Sequence, residues 1–334
     1  MDSVLVVLVF VVIAAVIFDF INGFHDTANA IATVIATRVL APWQAILMAA
    51  SLNFAGALSG TAVAKTIGSG LVDATAISQG AILAALLGAI VWNLLTWYYG
   101  IPSSSSHALV GGIVGGAVAH AGQAAPLWTT IGQKTVLPFL ISPLIGFAIA
   151  FVLMVVVLNV FARASRYAMG QIFGKAQLAS SAFMAFSHGS NDAQKTMGVI
   201  TVALVSAQLI PLDSGIPLWV IAVSAAAMAF GTAAGGWRII RTMGTRLTRL
   251  EPVHGFVAET AAASIIEVAS RAGFPLSTTH TIASTIMGVG ATRGASQVHW
   301  SVAGNMVTAW ILTIPATAVV AFLVYRLLRL FGVD

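Results

Sequence analysis

Long apolar runs fill this chain, and polar residues interrupt them at a place that repeats. Residues 4–20 and 30–39 are apolar, and between them residues 22–29 read Asn-Gly-Phe-His-Asp-Thr-Ala-Asn. The first run alone approaches the ~20 residues that cross a bilayer. Asn22, His25, Asp26 and Asn29 are costly in lipid, so they must face protein or water. The pattern predicts a helix over 4–40 broken at 22–29. A span over 43–64 follows, then a hairpin-like pair over 78–122 with its turn at 102–107, and then a span over 137–161.

The whole arrangement recurs. Residues 188–195 read His-Gly-Ser-Asn-Asp-Ala-Gln-Lys, and aligning Gly23 with Gly189 puts Asp26 on Asp192, His25 on Asn191 and Asn29 on Lys195. The turn Gly-Ile-Pro-Ser-Ser-Ser-Ser-His (100–107) matches Gly-Phe-Pro-Leu-Ser-Thr-Thr-His (273–280) at an offset of 173. Trp43 and Phe54 match Trp219 and Phe230 at 176, and Ser142-Pro143 matches Ile314-Pro315 at 172. The first repeat is 1–170. The second, 171–334, gives a broken helix over 176–211, a span over 217–237, a hairpin over 253–292 and a span over 300–326. If each hairpin is re-entrant, each half crosses three times and the two are inverted. The predicted fold is all-α: a polytopic helical membrane protein of two inverted-topology repeats with broken helices and re-entrant-like hairpins. Pro102 and Pro275 suit the first turn of a new helix, and Gly100 and Gly273 suit the C-cap of the helix before.

Composition settles the class. Only 7% of residues are charged and the mean hydropathy is +0.97, against about 25% charged in soluble domains. Alternating ten-residue segments are missing, which argues against an outer-membrane barrel. Without a basic n-region, the first apolar run reads as a retained span rather than a signal peptide. The chain has no cysteine, which excludes disulfides and thiol chemistry. The distribution of the basic residues matters more than the net charge of +5, and no nucleic-acid partner is implied. Arg38, Arg163, Arg166, Lys175 and the cluster Arg238, Arg241, Arg246 and Arg249 fall on one face. Lys65, Lys134, Arg326 and Arg329 fall on the other. The richer face is expected to be cytoplasmic, with both termini external.

Two constellations carry chemistry. Helices opening at the two Pro turns would aim free N–H groups and positive dipole ends into the protein, beside the hydroxyls of Ser104, Ser105, Ser106, Ser277, Thr278 and Thr279. That combination suits an oxyanion, though ordinary N-capping uses the same residues. Asp26 and Asp192, flanked by Asn22, Asn29 and Asn191, suit a coupling cation or a proton. Lys195 is spaced to pair with Asp192 or to reach the anion. His25 faces an amide at its repeat position, and a titratable group there favours H+ over Na+. Glu259 has Leu86 as its counterpart and is a further proton-carrier candidate, and Asp19, opposite Ala185, is a lesser one. Glu267 and Arg271 are spaced as an i,i+4 pair. Ser106 and His107 are adjacent and point about 100° apart on a helix, so they make no hydrolase dyad, and the chain does not read as an enzyme. A passive anion channel is the other alternative.

These motifs resemble the inorganic phosphate transporter (PiT) family over essentially the whole chain. Residues 22–29 resemble its first signature in the bacterial His-Asp form, 188–195 its second, and 102–107 and 275–280 its Pro-Ser/Thr-His turns. The resemblance implies a phosphate symporter of the bacterial inner membrane, dimeric, with no cofactor. It implies that both hydroxyl turns and both Asp motifs hold the substrate. The His-Asp form resembles low-affinity proton symporters that can carry phosphate as a neutral metal complex, so Mg2+ is an expected co-substrate. Some relatives carry sulfate, which leaves the anion's identity open.

Overall fold

A long apolar run without an internal proline can wind one helix, and α1 does so over Ser3–Ala36. The break expected at 22–29 is absent. Its partner α8, Arg166–Ser206, likewise runs unbroken through 188–195. The reason is that the polar side chains are satisfied without opening the ladder. Thr27 donates back to the Gly23 carbonyl (2.6 Å) and Ser190 to that of Ser187 (3.0 Å), while the other polar groups find partners on neighbouring helices. The breaks fall elsewhere. The spans expected to run straight over 43–64 and 217–237 are bent, α2 (Pro42–Ala57) against α3 (Ala62–Gly70) by 68° and α9 (Leu218–Ala234) against the α10 segment (Trp237–Arg241) by 61°. Gly235 at φ +73 makes the second bend possible. A π-helical turn, Thr242–Arg246, follows α10.

The two hairpins form where expected, as α4 (Gln79–Tyr99) with α5 (Ser105–Ala121) and α11 (Pro252–Arg271) with α12 (Thr278–Ala291). Gly100 and Gly273 take the left-handed conformation that ends each first arm. The second arms do not open at Pro102 and Pro275. They open three residues later, because the hydroxyls of Ser104 and Ser277 accept the N–H of His107 and His280 (3.2 Å each) and so cap the helices. A short α6 (Trp128–Ile131) and a π-helical turn lead into α7 (Leu137–Val160), and α13 (Trp300–Leu330) closes the chain.

This computed structural model describes residues 3–333; the described residues contain no strand, and four helices plus the two bent pairs are long and apolar enough to cross a membrane. The helix order of the first half repeats in the second, and so do the contacts. α1 packs on α4 and α9, as α8 packs on α11 and α2. α5 packs on α13, whereas α12 packs on α7, so each half lends its last helix to the other's hairpin. The halves therefore cannot separate as rigid domains.

Small residues permit these crossings. A Cβ on Gly189 would stand 2.1 Å from the Asn53 carbonyl, and one on Gly56 would stand 2.0 Å from that of Phe186. Gly189→Val should therefore destabilise the protein by about 2 kcal/mol or more, visible as a lowered thermal unfolding midpoint in detergent. Gly170→Ala, which meets open space, should leave the midpoint unchanged.

Candidate functional site

Because α1 and α8 pack side by side, the two polar octets come together at the centre of the protein. The capped starts of α5 and α12 bring the hydroxyl turns to the same place. Asp26, His188 and Asp192 are buried, and one ligand atom from each lies within 4.8 Å of the others. At an effective dielectric of about 20, two like charges ~5 Å apart repel by about 3 kcal/mol. Lys195 meets part of that cost. Its ammonium, only 2% exposed, donates to Asp192, to Ser106 Oγ (2.5 Å) and to the Leu276 carbonyl (3.1 Å). One buried cation thus ties α8 to both hairpin turns. Two carboxylates against one ammonium leave a cluster suited to a further cation.

The anion-facing groups surround this cluster. Thr278 donates to Asp192 (3.2 Å), and the Asn29 amide donates to Thr278 (3.2 Å) and Thr279 (3.0 Å). Ser106 donates to the Leu276 carbonyl (3.1 Å), so the two turns touch each other directly. Ser105 is buried with its hydroxyl free, and the first-turn N–H groups of α5 and α12 point to the same region. The arrangement supplies hydroxyl, amide, ammonium and N–H donors beside carboxylates that can accept a proton or share a cation.

Not every expected residue sits here. Ser104 and Ser277 spend their hydroxyls on capping. The Asn191 amide turns away to Ser270 (2.7 Å), and that of Asn22 reaches only Met228 Sδ (4.0 Å). Glu259 forms a second centre. Thr33 donates to its buried carboxylate, as do Gln177 (3.1 Å), Ser180 (2.5 Å) and Ser181 (2.9 Å). The repeat-related positions Val11, Ala14, Ala15, Leu86 and Val199 are all apolar, so this polar centre exists in one half only. Glu267 pairs with Arg271 (2.8 Å) as its spacing predicts.

Supporting residues escaped the sequence reading. His25 bonds Asp26 (2.6 Å) through Nδ1 and Thr96 (3.1 Å) through Nε2, and Ser103 donates to Thr96 (2.7 Å). His188 meets Asn53 (3.1 Å), which donates to Thr232 (2.8 Å). The available signal was a lone polar residue inside an apolar run, as at Asn53 and Thr232. His107 and His280 are equivalent in the repeat and touch, their ring centres 4.3 Å apart. They lie behind the hydroxyl turns, in a cavity of about 520 Å³.

Comparison with known proteins agrees with this geometry. The family model described as "Phosphate transporter family" matches residues 22–170 and 162–321. A "Probable low-affinity inorganic phosphate transporter" of Rhizobium meliloti (strain 1021) is 46% identical over 95% of each chain. A protein of the same description from Bacillus subtilis (strain 168) is 45% identical over 99% of each chain. A solved structure described as "The sodium-dependent phosphate transporter" superposes with a TM-score of 0.88 at 25% identity, over 97% of this chain and 99% of that one.

Proposed function

Because the chain belongs to the phosphate transporter family, we propose that it imports inorganic phosphate by symport with a cation, using the cluster at Asp26, Asp192 and Lys195. It is a transport protein and not an enzyme. The observation that carries the reading is the meeting of two carboxylates with two hydroxyl turns across one buried lysine. The hydroxyls, first-turn N–H groups and Lys195 hold the oxyanion. The carboxylates hold the cation, and its charge lowers the cost of bringing an anion to the middle of the membrane. Carboxylates also favour phosphate over sulfate, because phosphate can bring a proton to share with them.

We assign the coupling ion as H+. The support is His25, whose ring bridges Asp26 to Thr96 and gives the first half a titratable group where the second has an amide. Glu259 offers a second carboxylate for the same work. Sodium coupling is the alternative, favoured by the solved neighbour, which is described as sodium-dependent. Mg2+ enters as a partner of phosphate in a neutral complex, and the active form is a dimer. The face with Arg163 and Arg238 is cytoplasmic.

The test is uptake of labelled phosphate into proteoliposomes. An imposed inward pH gradient should drive accumulation in sodium-free buffer, Mg2+ should raise the rate, and excess sulfate should leave it unchanged. Accumulation under a sodium gradient alone would replace H+ with Na+. Equilibration without accumulation under either gradient would make the protein a channel.

A further inference from the structure

The two halves match helix for helix, so any place where equivalent positions differ marks something the halves do not share. One such place lies beside each bend. At the α2–α3 bend, Ser59, Gly60 and Ala62 line a small polar recess of about 150 Å³ with Ser190, Glu267 and Arg271. Ser190 donates to Glu267 (2.8 Å), and the Arg271 side chain is 78% exposed. The recess leads toward the central cluster. Gln194 stands on its wall, next to Lys195 in the chain, and Ser270 on the same wall accepts from Asn191, the neighbour of Asp192.

The repeat-related positions at the α9–α10 bend are Phe24 for Ser190, Trp97 and Tyr98 for Ser270 and Arg271, and Arg238 for Ala62. These residues fill the space instead of lining it. Phe24 packs edge-on against Trp97, ring centres 5.4 Å apart. The Arg238 guanidinium lies over both Trp97 (5.2 Å) and Tyr98 (4.9 Å) and donates to the Tyr98 carbonyl. Thr242 adds a pin by donating to the Gly100 carbonyl (2.9 Å). Its counterpart Thr66 makes no such bond to Gly273 and turns back to its own helix at Ala62 (3.5 Å). So α10 is fastened to the turn of the first hairpin, and α3 is not fastened in that way to the turn of the second.

We infer that these are two gates on opposite sides of the substrate site: Phe24, Trp97 and Arg238 form the closed one, with Arg238 as its latch, and the recess at Ser190, Glu267 and Arg271 is the open one. The inference rests on the carrier reading above. Under that reading the open mouth faces outward and phosphate leaves through the latched one. A cation held on aromatic faces is a fitting latch. It holds by about 1 kcal/mol per ring at an exposed site, weak enough for a carrier to release during each cycle. The latch is also particular to one mouth, so loosening it should bias the protein toward its inward-open state.

The chain contains no cysteine, so a single introduced thiol reports on one position. Ser190→Cys and Ala28→Cys, the latter one turn behind Phe24, would be treated in oriented vesicles with a membrane-impermeant methanethiosulfonate reagent. Ser190→Cys should react from one side only, and Ala28→Cys should be protected from both. Adding Arg238→Ala should speed labelling of Ala28→Cys tenfold or more, from the side opposite to the one that reaches Ser190→Cys. Arg238→Lys should keep most of the protection, because an ammonium also stacks on the rings. Thr242→Val, a milder change, should loosen protection in the same direction. Protection of Ser190→Cys, access to Ala28→Cys from that same side, or no effect of Arg238→Ala on Ala28→Cys overturns the assignment. The reagent reads gate position without any movement of phosphate. A failed gate assignment is therefore distinct from a failed transport reading, which the proteoliposome assay detects separately.

Discussion

Asp26→Asn should lower phosphate uptake at least 100-fold while leaving the protein folded. The expectation follows from how few structural bonds Asp26 makes. Among the described residues its side-chain hydrogen bond is to the neighbouring His25, and the amide of Asn can still meet that ring. What the substitution removes is the negative charge within 4.8 Å of His188 and Asp192, and with it half of the cation's carboxylate ligands. Asp192→Asn should be equally inactive but less stable. Asp192 answers the buried ammonium of Lys195 and accepts from Thr278, and stranding a buried charge costs about 3–5 kcal/mol. Uptake in proteoliposomes and thermal unfolding in detergent separate the two effects. Retention of more than about a third of wild-type uptake by either variant would remove that carboxylate from the coupling machinery.

Much of this architecture is legible in the chain because duplication writes each signal twice. The turns at 102–107 and 275–280 locate both hairpins, and the Asp26–Asp192 alignment pairs the two octets without any coordinates. The differences between sequence and structure share one cause. A polar residue in an apolar run suggests a break in the backbone, as at 22–29. Helix–helix contact satisfies such residues instead, through partners as far along the chain as Asn53 is from His188 and Thr278 from Asp192. The real bends lie at the Gly60 and Gly235–Gly236 junctions, where small residues sit inside runs that read as continuous spans. Glu259 is visible as an odd acid, but its setting is not. Three hydroxyls and an amide converge on it from α1 and α8, and no local pattern announces that.

Lys195→Asn should also abolish uptake, and here the pairing with Asp192 raises a question that a single substitution cannot answer. The lysine has no counterpart in the first half, where Asn29 stands, and it supplies the ammonium at the central cluster. Its loss would leave two carboxylates facing each other, which alone could inactivate the protein. The double variant Asp192→Asn/Lys195→Asn removes both charges and so strands neither. It should recover most of the stability lost in Asp192→Asn, by about 2 kcal/mol or more. If Lys195 serves only to balance Asp192, transport should return together with stability. If Lys195 also holds phosphate through the Ser106 turn, the double variant should be stable and still silent, and Lys195→Arg should not restore transport, because a planar guanidinium does not replace a compact ammonium in a fitted cavity. We expect the second result, because Lys195 reaches the hydroxyl turn of one hairpin and the backbone of the other at the same time. A stable double variant with near-normal uptake would reduce Lys195 to a counter-ion.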